Sequence, residues 1–272
     1  MLPRLFLILV ALFPFSQGAE ATVITSNVLQ RTFLIAWGQS TGTAFAIDHA
    51  SKQYLVTARH VAKGIKSGNV IKIQHEGKWK DLPVKIVGIG KEKIDVAVLA
   101  CSIQLAPQFL LIASDEGLQL GQSASFLGFP FGWEGGGEEI NRGFPLPLVK
   151  AGIISRLGIG DMPTLYLDGH NNPGFSGGPV VFSPGGQPGN RLHVAGVVSH
   201  YPYAPKLPPE FPPLWEPLVN REGKPVTDST GEPIGYIREN PGIVAAIPIR
   251  YVMELIDENP IGFPLPADKD SQ

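Results

Sequence analysis

The sequence predicts an all-β protein of two units with one helix near its C-terminus, and three observations predict it. Of 272 residues, 32 are glycine and 26 proline, punctuation that favours many short strands over long helices. Apolar, β-branched runs recur at 23–37, 41–48, 53–61, 70–89 and 94–102, and a second set follows at 122–129, 148–157, 163–168, 179–183, 191–199 and 242–249. Such spacing reads as two all-β units, joined by a linker near 103–118. Helical periodicity is scarce until Pro248–Ile256, which predicts the single terminal helix. With 43% hydrophobic and only 17% charged residues, the chain has ample material for a sizeable core. No internal repeat of the solenoid or propeller kind is visible.

The N-terminus predicts the compartment. Arg4 precedes an apolar stretch from Leu5 to Phe15, followed by Ser16-Gln17-Gly18. This is the pattern of a secretory signal peptide, residues 1–18, cleaved after Gly18. Its apolar core falls short of the roughly 18 residues that a membrane span needs, and no other span appears. A periplasmic or secreted protein with no stable membrane span after signal cleavage is expected.

Chemistry concentrates in three segments. Asn172-Pro-Gly-Phe-Ser-Gly-Gly-Pro179 sets Ser176 in a glycine-rich turn, where glycines open backbone conformations closed to other residues and allow close approach of a substrate. The N–H groups of Gly174 and Ser176 are placed to serve an oxyanion. Upstream, Tyr54-Leu-Val-Thr-Ala-Arg-His-Val61 is an apolar run ending around His60, and Ile94-Asp-Val-Ala-Val-Leu99 carries one charge, Asp95. Taken alone, each has a plain structural explanation: a turn serine, an exposed histidine, a strand-capping aspartate. Together they run in the order His, Asp, Ser.

At these residues the chain resembles the chymotrypsin-fold serine proteases, and most nearly the peptidase domain of the bacterial HtrA/Deg proteases. The family's T-A-x-H-V segment matches Thr57–Val61, its D-[ILV]-A-[VL]-L segment matches Asp95–Leu99, and its D-x-x-x-N-P-G-N-S-G-G-P segment matches Asp168–Pro179 at all but one position. Weaker matches fall in the right order at Gly42–Asp48, Leu127–Gly132, Val149–Ser155, Gly196–Ser199 and Ala246–Ile249.

The resemblance implies two six-stranded antiparallel β-barrels: residues 19–110 carry His60 and Asp95, residues 111–258 carry Ser176, and 259–272 form a tail. It implies a catalytic triad of His60, Asp95 and Ser176, with Gly174 and Ser176 as the oxyanion hole. A serine hydroxyl is a poor nucleophile until an adjacent base takes its proton. Histidine titrates near ~6.5, so a neutral imidazole is at hand around neutral pH, and a buried aspartate fixes its tautomer. The implied reaction is hydrolysis of peptide bonds in protein or peptide substrates through an acyl-enzyme. HtrA-like proteases are often trimers, so a homo-oligomer is implied as well.

Some features depart from the family pattern. Phe175 stands where asparagine often precedes the nucleophile. His170 falls where the resemblance places the wall or base of the primary specificity pocket, and Ser199 where a residue lines that pocket and supports Asp95. A proline-rich insertion occupies 201–240, and no PDZ domain follows. Cys101 is the only cysteine, so no internal disulfide is available; animal trypsin-like enzymes usually carry several, bacterial HtrA-like ones few or none.

Other function classes are disfavoured. A formal net charge of −2 lacks the basic face of a nucleic-acid binder. Neither Gly88-Ile-Gly-Lys91 nor Gly135-Gly-Gly137 has the context of a phosphate-binding loop. The six histidines show no metal-site spacing, so no metal or cofactor is expected. Two alternatives to the peptidase remain: an idle protease fold acting as a binding module, and a serine esterase using Gly174–Gly178 as a nucleophile elbow, which needs its acid and histidine after the serine.

Overall fold

The computed structural model describes residues 23–107, 111–160, 162–186, 191–200, 216–217, 220, 222–231, 236–237 and 242–266. The expected signal peptide and most of the 201–240 insertion lie outside them. A short helix α1 (Ser26–Leu29) comes first. Strands β1 (Thr32–Trp37), β2 (Ser40–His49), β3 (Lys52–Thr57), β4 (Val70–His75), β5 (Lys78–Ile89) and β6 (Ala97–Cys101) follow, and then β7 (Ile112–Ala113). The second half contains β8 (Ser123–Gly128), β9 (Leu148–Arg156), β10 (Leu165–Asp168), β11 (Pro179–Phe182) and β12 (His193–His200). After these come β13 (Glu216–Pro217), β14 (Tyr236–Ile237), β15 (Ile243–Pro248), helix α2 (Arg250–Glu258) and β16 (Phe263–Pro264).

Both sheets close on themselves. The first runs β3-β2-β1-β4-β5-β6 and is sealed by β3 against β6; the second runs β11-β8-β9-β10-β15-β12 and is sealed by β11 against β12. The result is two six-stranded antiparallel barrels with a short C-terminal helix, as the sequence predicts. Two short strands extend the sheets: β7 adds to β12 in parallel, and β16 returns to the first barrel beside β3. The expected helix start at Pro248 shifts to Arg250, because Pro248 still pairs with Gly196. The run from residue 23 opens with α1 before it becomes strand.

The burial pattern explains why the runs read as continuously apolar instead of alternating. Side chains on a strand point to opposite faces in turn, yet here both faces are covered. On β2, Ala44 and Ala46 fill the first barrel with Phe33, Leu55 and Leu99, while Phe45 and Ile47 point outward into a second cluster. That cluster joins Val56 and Val98 of the first barrel to Leu127, Val181 and Val197 of the second, with Val252 and Ile256 of α2. On β11, Val180 and Phe182 occupy the second barrel's interior and Val181 the seam. The barrels are therefore fused along an apolar face, and the loops crossing its rim are held at fixed distances.

Arg31 is fully buried beneath that framework. Its guanidinium meets Asp48 Oδ2 at 2.6 Å, Asn27 Oδ1 at 2.9 Å and the Pro107 carbonyl at 2.7 Å. A buried cation is tolerated only when its donors are matched in this way.

Candidate active site

The first barrel supplies two residues from adjoining strands. Beyond β3 the chain turns through Ala58–Ala62, with the N–H groups of Val61 and Ala62 both donating to the Ala58 carbonyl; this turn carries His60. Thr57 pairs with Ala97, which brings the approach to β6, and Asp95 with it, beside that turn. Arg59 secures the approach by donating to the Gly90 carbonyl at 3.0 Å and the Glu92 carbonyl at 2.7 Å.

Asp95 is saturated with donors. Its Oδ1 accepts the His60 main-chain N–H at 3.0 Å; its Oδ2 lies 2.7 Å from His60 Nδ1 and 2.5 Å from Ser199 Oγ. Burial pushes the carboxyl up, but hydrogen bonds from the His60 ring and the Ser199 hydroxyl, with the charge of His60, hold it below the usual carboxylate range. An ionised carboxylate only accepts, so Nδ1 of His60 carries a proton and Nε2 is the ring nitrogen that Asp95 leaves free. The His60 side chain is 48% exposed against 15% for Asp95, so the free nitrogen belongs to an accessible ring on a buried anchor.

The second barrel supplies the serine turn between β10 and β11. Its amides divide into two sets. Phe175 N–H donates to Asn172, Gly177 N–H to Val198 and Gly178 N–H to Phe175. The N–H groups of Gly174 and Ser176 have no acceptor among the described residues. Glycine is required at Gly174 (φ +104°), where a Cβ would lie 2.2 Å from the Phe129 carbonyl oxygen, and at Gly177 (φ +87°), where it would lie 2.0 Å from that of Thr43. The turn is tied across the seam by Thr43 N–H to the Ser176 carbonyl at 2.9 Å.

The Phe175 departure has a packing reason. Its ring is buried in the second barrel, edge-on to Phe126 at 5.2 Å between centroids, with the Lys150 ammonium 5.3 Å from its centroid. Lys150 also donates to the His170 carbonyl at 2.7 Å and to Asn172 Oδ1 at 2.6 Å, so an apolar anchor and a cation hold the segment before Ser176. Burial lowers the Lys150 ammonium from its ordinary value.

His60, Asp95 and Ser199 are thus directly bonded, and Ser176 joins them through Ser199: its Oγ donates to the Ser199 carbonyl at 2.8 Å. The hydroxyl is satisfied there and makes no hydrogen bond with His60. His170 is exposed and enters the network only through its carbonyl. Three residues of the site lie outside the sequence reading: Lys150, Thr43 and His200. Thr43 carried a signal, a hydroxyl directly before the apolar run Ala44–Ile47. His200 adjoins a residue already singled out. Ser176 leads directly into strand β11, not into a helix, so its turn is not the strand–turn–helix elbow of the esterase alternative.

Solved structures share the fold. The fold is shared with the HtrA-type protease AlgW, solved with a tripeptide: 21% identity and a TM-score of 0.52, covering 86% of this chain and 61% of AlgW. An AlgW variant with tripeptide gives 20% and 0.51 over the same shares. The Rv3671c protease of M. tuberculosis H37Rv in an inactive form gives 17% identity and a TM-score of 0.49, over 85% of this chain and 90% of that one. The chain spans about three-fifths of the AlgW chain it matches. No curated protein matches it significantly. The model of the trypsin-like peptidase domain matches residues 42–187, more than half of the sequence, and the chain belongs to that family.

Proposed function

We propose that this protein is an exported serine endopeptidase that cleaves peptide bonds in protein substrates. The observation that carries the reading is the His60–Asp95 pair at 2.7 Å, which leaves a free imidazole nitrogen one residue bridge away from Ser176. In this reading Ser176 Oγ rotates from the Ser199 carbonyl toward His60 Nε2, which accepts its proton as the oxygen attacks the substrate carbonyl. Catalytic hydrogen bonds are often loose before substrate arrives. The negative oxygen of the tetrahedral intermediate is met by the two amides without an internal acceptor, Gly174 and Ser176, the kind of preorganised donor pair worth about 2.7–4 kcal/mol per donor. His60 then protonates the leaving amine, and water repeats the sequence to release the acyl group.

Export rests on the residue 1–18 signal pattern, and His170 and Ser199 are proposed to border the specificity pocket. The test is a fluorophosphonate probe on the purified mature protein, with the adduct mapped by mass spectrometry. Labelling at Ser176 that is lost in His60→Ala supports an activated serine. Well-folded protein that takes no label, and cleaves no member of a peptide library, overturns the reading in favour of a binding module.

A further inference from the structure

The last two residues of β12 depart from strand geometry in a way that bears on Asp95. Pairing with β15 slips between Val198 and His200, a bulge centred on Ser199. Successive strand side chains ordinarily point to opposite faces, and a bulge re-aims them. Here it lets both neighbours reach one place: Ser199 Oγ lies 2.5 Å from Asp95 Oδ2 and 2.8 Å from His200 Nδ1.

Proton counting fixes the direction of both bonds. A hydroxyl has one proton. Asp95 is an ionised acceptor, so the Ser199 proton lies toward Asp95, and the bond to His200 must be donated by Nδ1–H. The arrangement is one directed chain: His200 Nδ1–H to Ser199 Oγ, Ser199 O–H to Asp95 Oδ2, with His60 Nδ1–H donating to the same oxygen. Among the described residues the charged or titratable groups acting on His200 are Asp95 and His60. His200 is exposed at the strand end, and the partial loss of solvation around its ring, with His60, lowers the imidazole from its ordinary value while Asp95 opposes.

We propose that His200 is a positioning residue for Asp95, holding the Ser199 hydroxyl so that its proton is committed to the carboxylate that orients His60. The consequence for turnover rests on the peptidase reading; the direction of the hydrogen bonds does not.

The test uses protein labelled with 15N at histidine, as wild type, His200→Asn (whose amide nitrogen takes the place of Nδ1) and His200→Phe. The neutral His200 ring should be the Nδ1–H tautomer in wild type. The downfield proton of His60 Nδ1–H should hold its position in His200→Asn and move upfield in His200→Phe. In peptide hydrolysis, kcat should fall about 10-fold in His200→Phe, the scale of one hydrogen bond, with KM within about twofold, and the asparagine variant should recover most of the loss. An Nε2–H tautomer for His200, or an unmoved His60 resonance in His200→Phe, overturns the proposal even in an active enzyme. An inactive wild type with the expected tautomer and resonance shift upholds the hydrogen-bond assignment and counts against the peptidase reading alone.

Discussion

Thr43 holds the peptide plane that follows Gly174: its Oγ1 donates to the Gly174 carbonyl oxygen at 2.7 Å, although the two residues sit on different barrels. Thr43 Oγ1 in turn accepts the Phe129 N–H at 3.1 Å, and the Thr43 carbonyl accepts the Thr57 hydroxyl at 2.7 Å. With its own N–H on the Ser176 carbonyl, this fully buried residue fastens both ends of the Gly174–Ser176 turn to the first barrel.

Thr43→Val keeps the volume but removes both hydroxyl bonds, leaving the Gly174 carbonyl and the Phe129 N–H without those partners. A buried unsatisfied group costs about 1–3 kcal/mol, so the denaturant midpoint should drop accordingly. Thr43→Ser, which keeps the oxygen, should lose much less. On the proposed peptidase reading, hydrolysis should fall further in the valine variant than its stability loss explains, since the turn that carries Ser176 is freed.

Asp48 is the partner that makes a buried Arg31 tolerable. Asp48→Ala leaves the guanidinium without its carboxylate and removes one of the two acceptors of Gln53 Nε2, 2.9 Å away, the other being the Ala106 carbonyl. Breaking a buried pair on one side costs about 3–5 kcal/mol, measurable by urea unfolding. A loss under about 1 kcal/mol would mean the pair behaves as an exposed one.

The fold and the segments that carry His60, Asp95 and Ser176 were legible because each depends on a short stretch of sequence. Runs such as Ala44–Ile47 and Val96–Leu99 are apolar at every position since both faces of those strands are covered, and the glycines of the Ser176 turn are demanded by backbone room. What stayed hidden depends on register. Nothing in Ser199-His200 announces a bulge that turns consecutive side chains to the same side. The reach of Thr43 to Gly174, 131 residues away in sequence, depends on the docking of the two barrels. The orientation of Ser176 toward the Ser199 carbonyl is a rotamer, for which the chain carries no pattern at all.

Cys101, partly buried at the end of β6, should behave as an unreactive thiol. Burial pushes its thiol up to about 12, so almost no thiolate, the reactive form, exists in the native state near neutral pH. Native protein should resist a thiol-directed alkylating agent at about pH 8 and react on unfolding, with modification followed by mass spectrometry. Rapid labelling of the native protein would show that the strand end carrying Cys101 opens readily.

Acid should weaken the fold in two steps. Burial lowers the His193 imidazole, with Glu116 opposing; His200 is lowered by burial and by His60, with Asp95 opposing. The unfolded chain therefore binds more protons at these two rings as pH falls through about 6.5, and stability declines from there down to their lower native values. Asp95 is also held below its unfolded value of about 3.9. Its contribution is fully present above that pH and is lost as pH falls through the native value. The unfolding midpoint should thus drop between about pH 7.5 and about pH 5 and again below about pH 4. His193→Gln should flatten the upper step and Asp95→Asn the lower one. If the upper step persists undiminished in a His193→Gln, His200→Asn double variant, these two histidines are not its source.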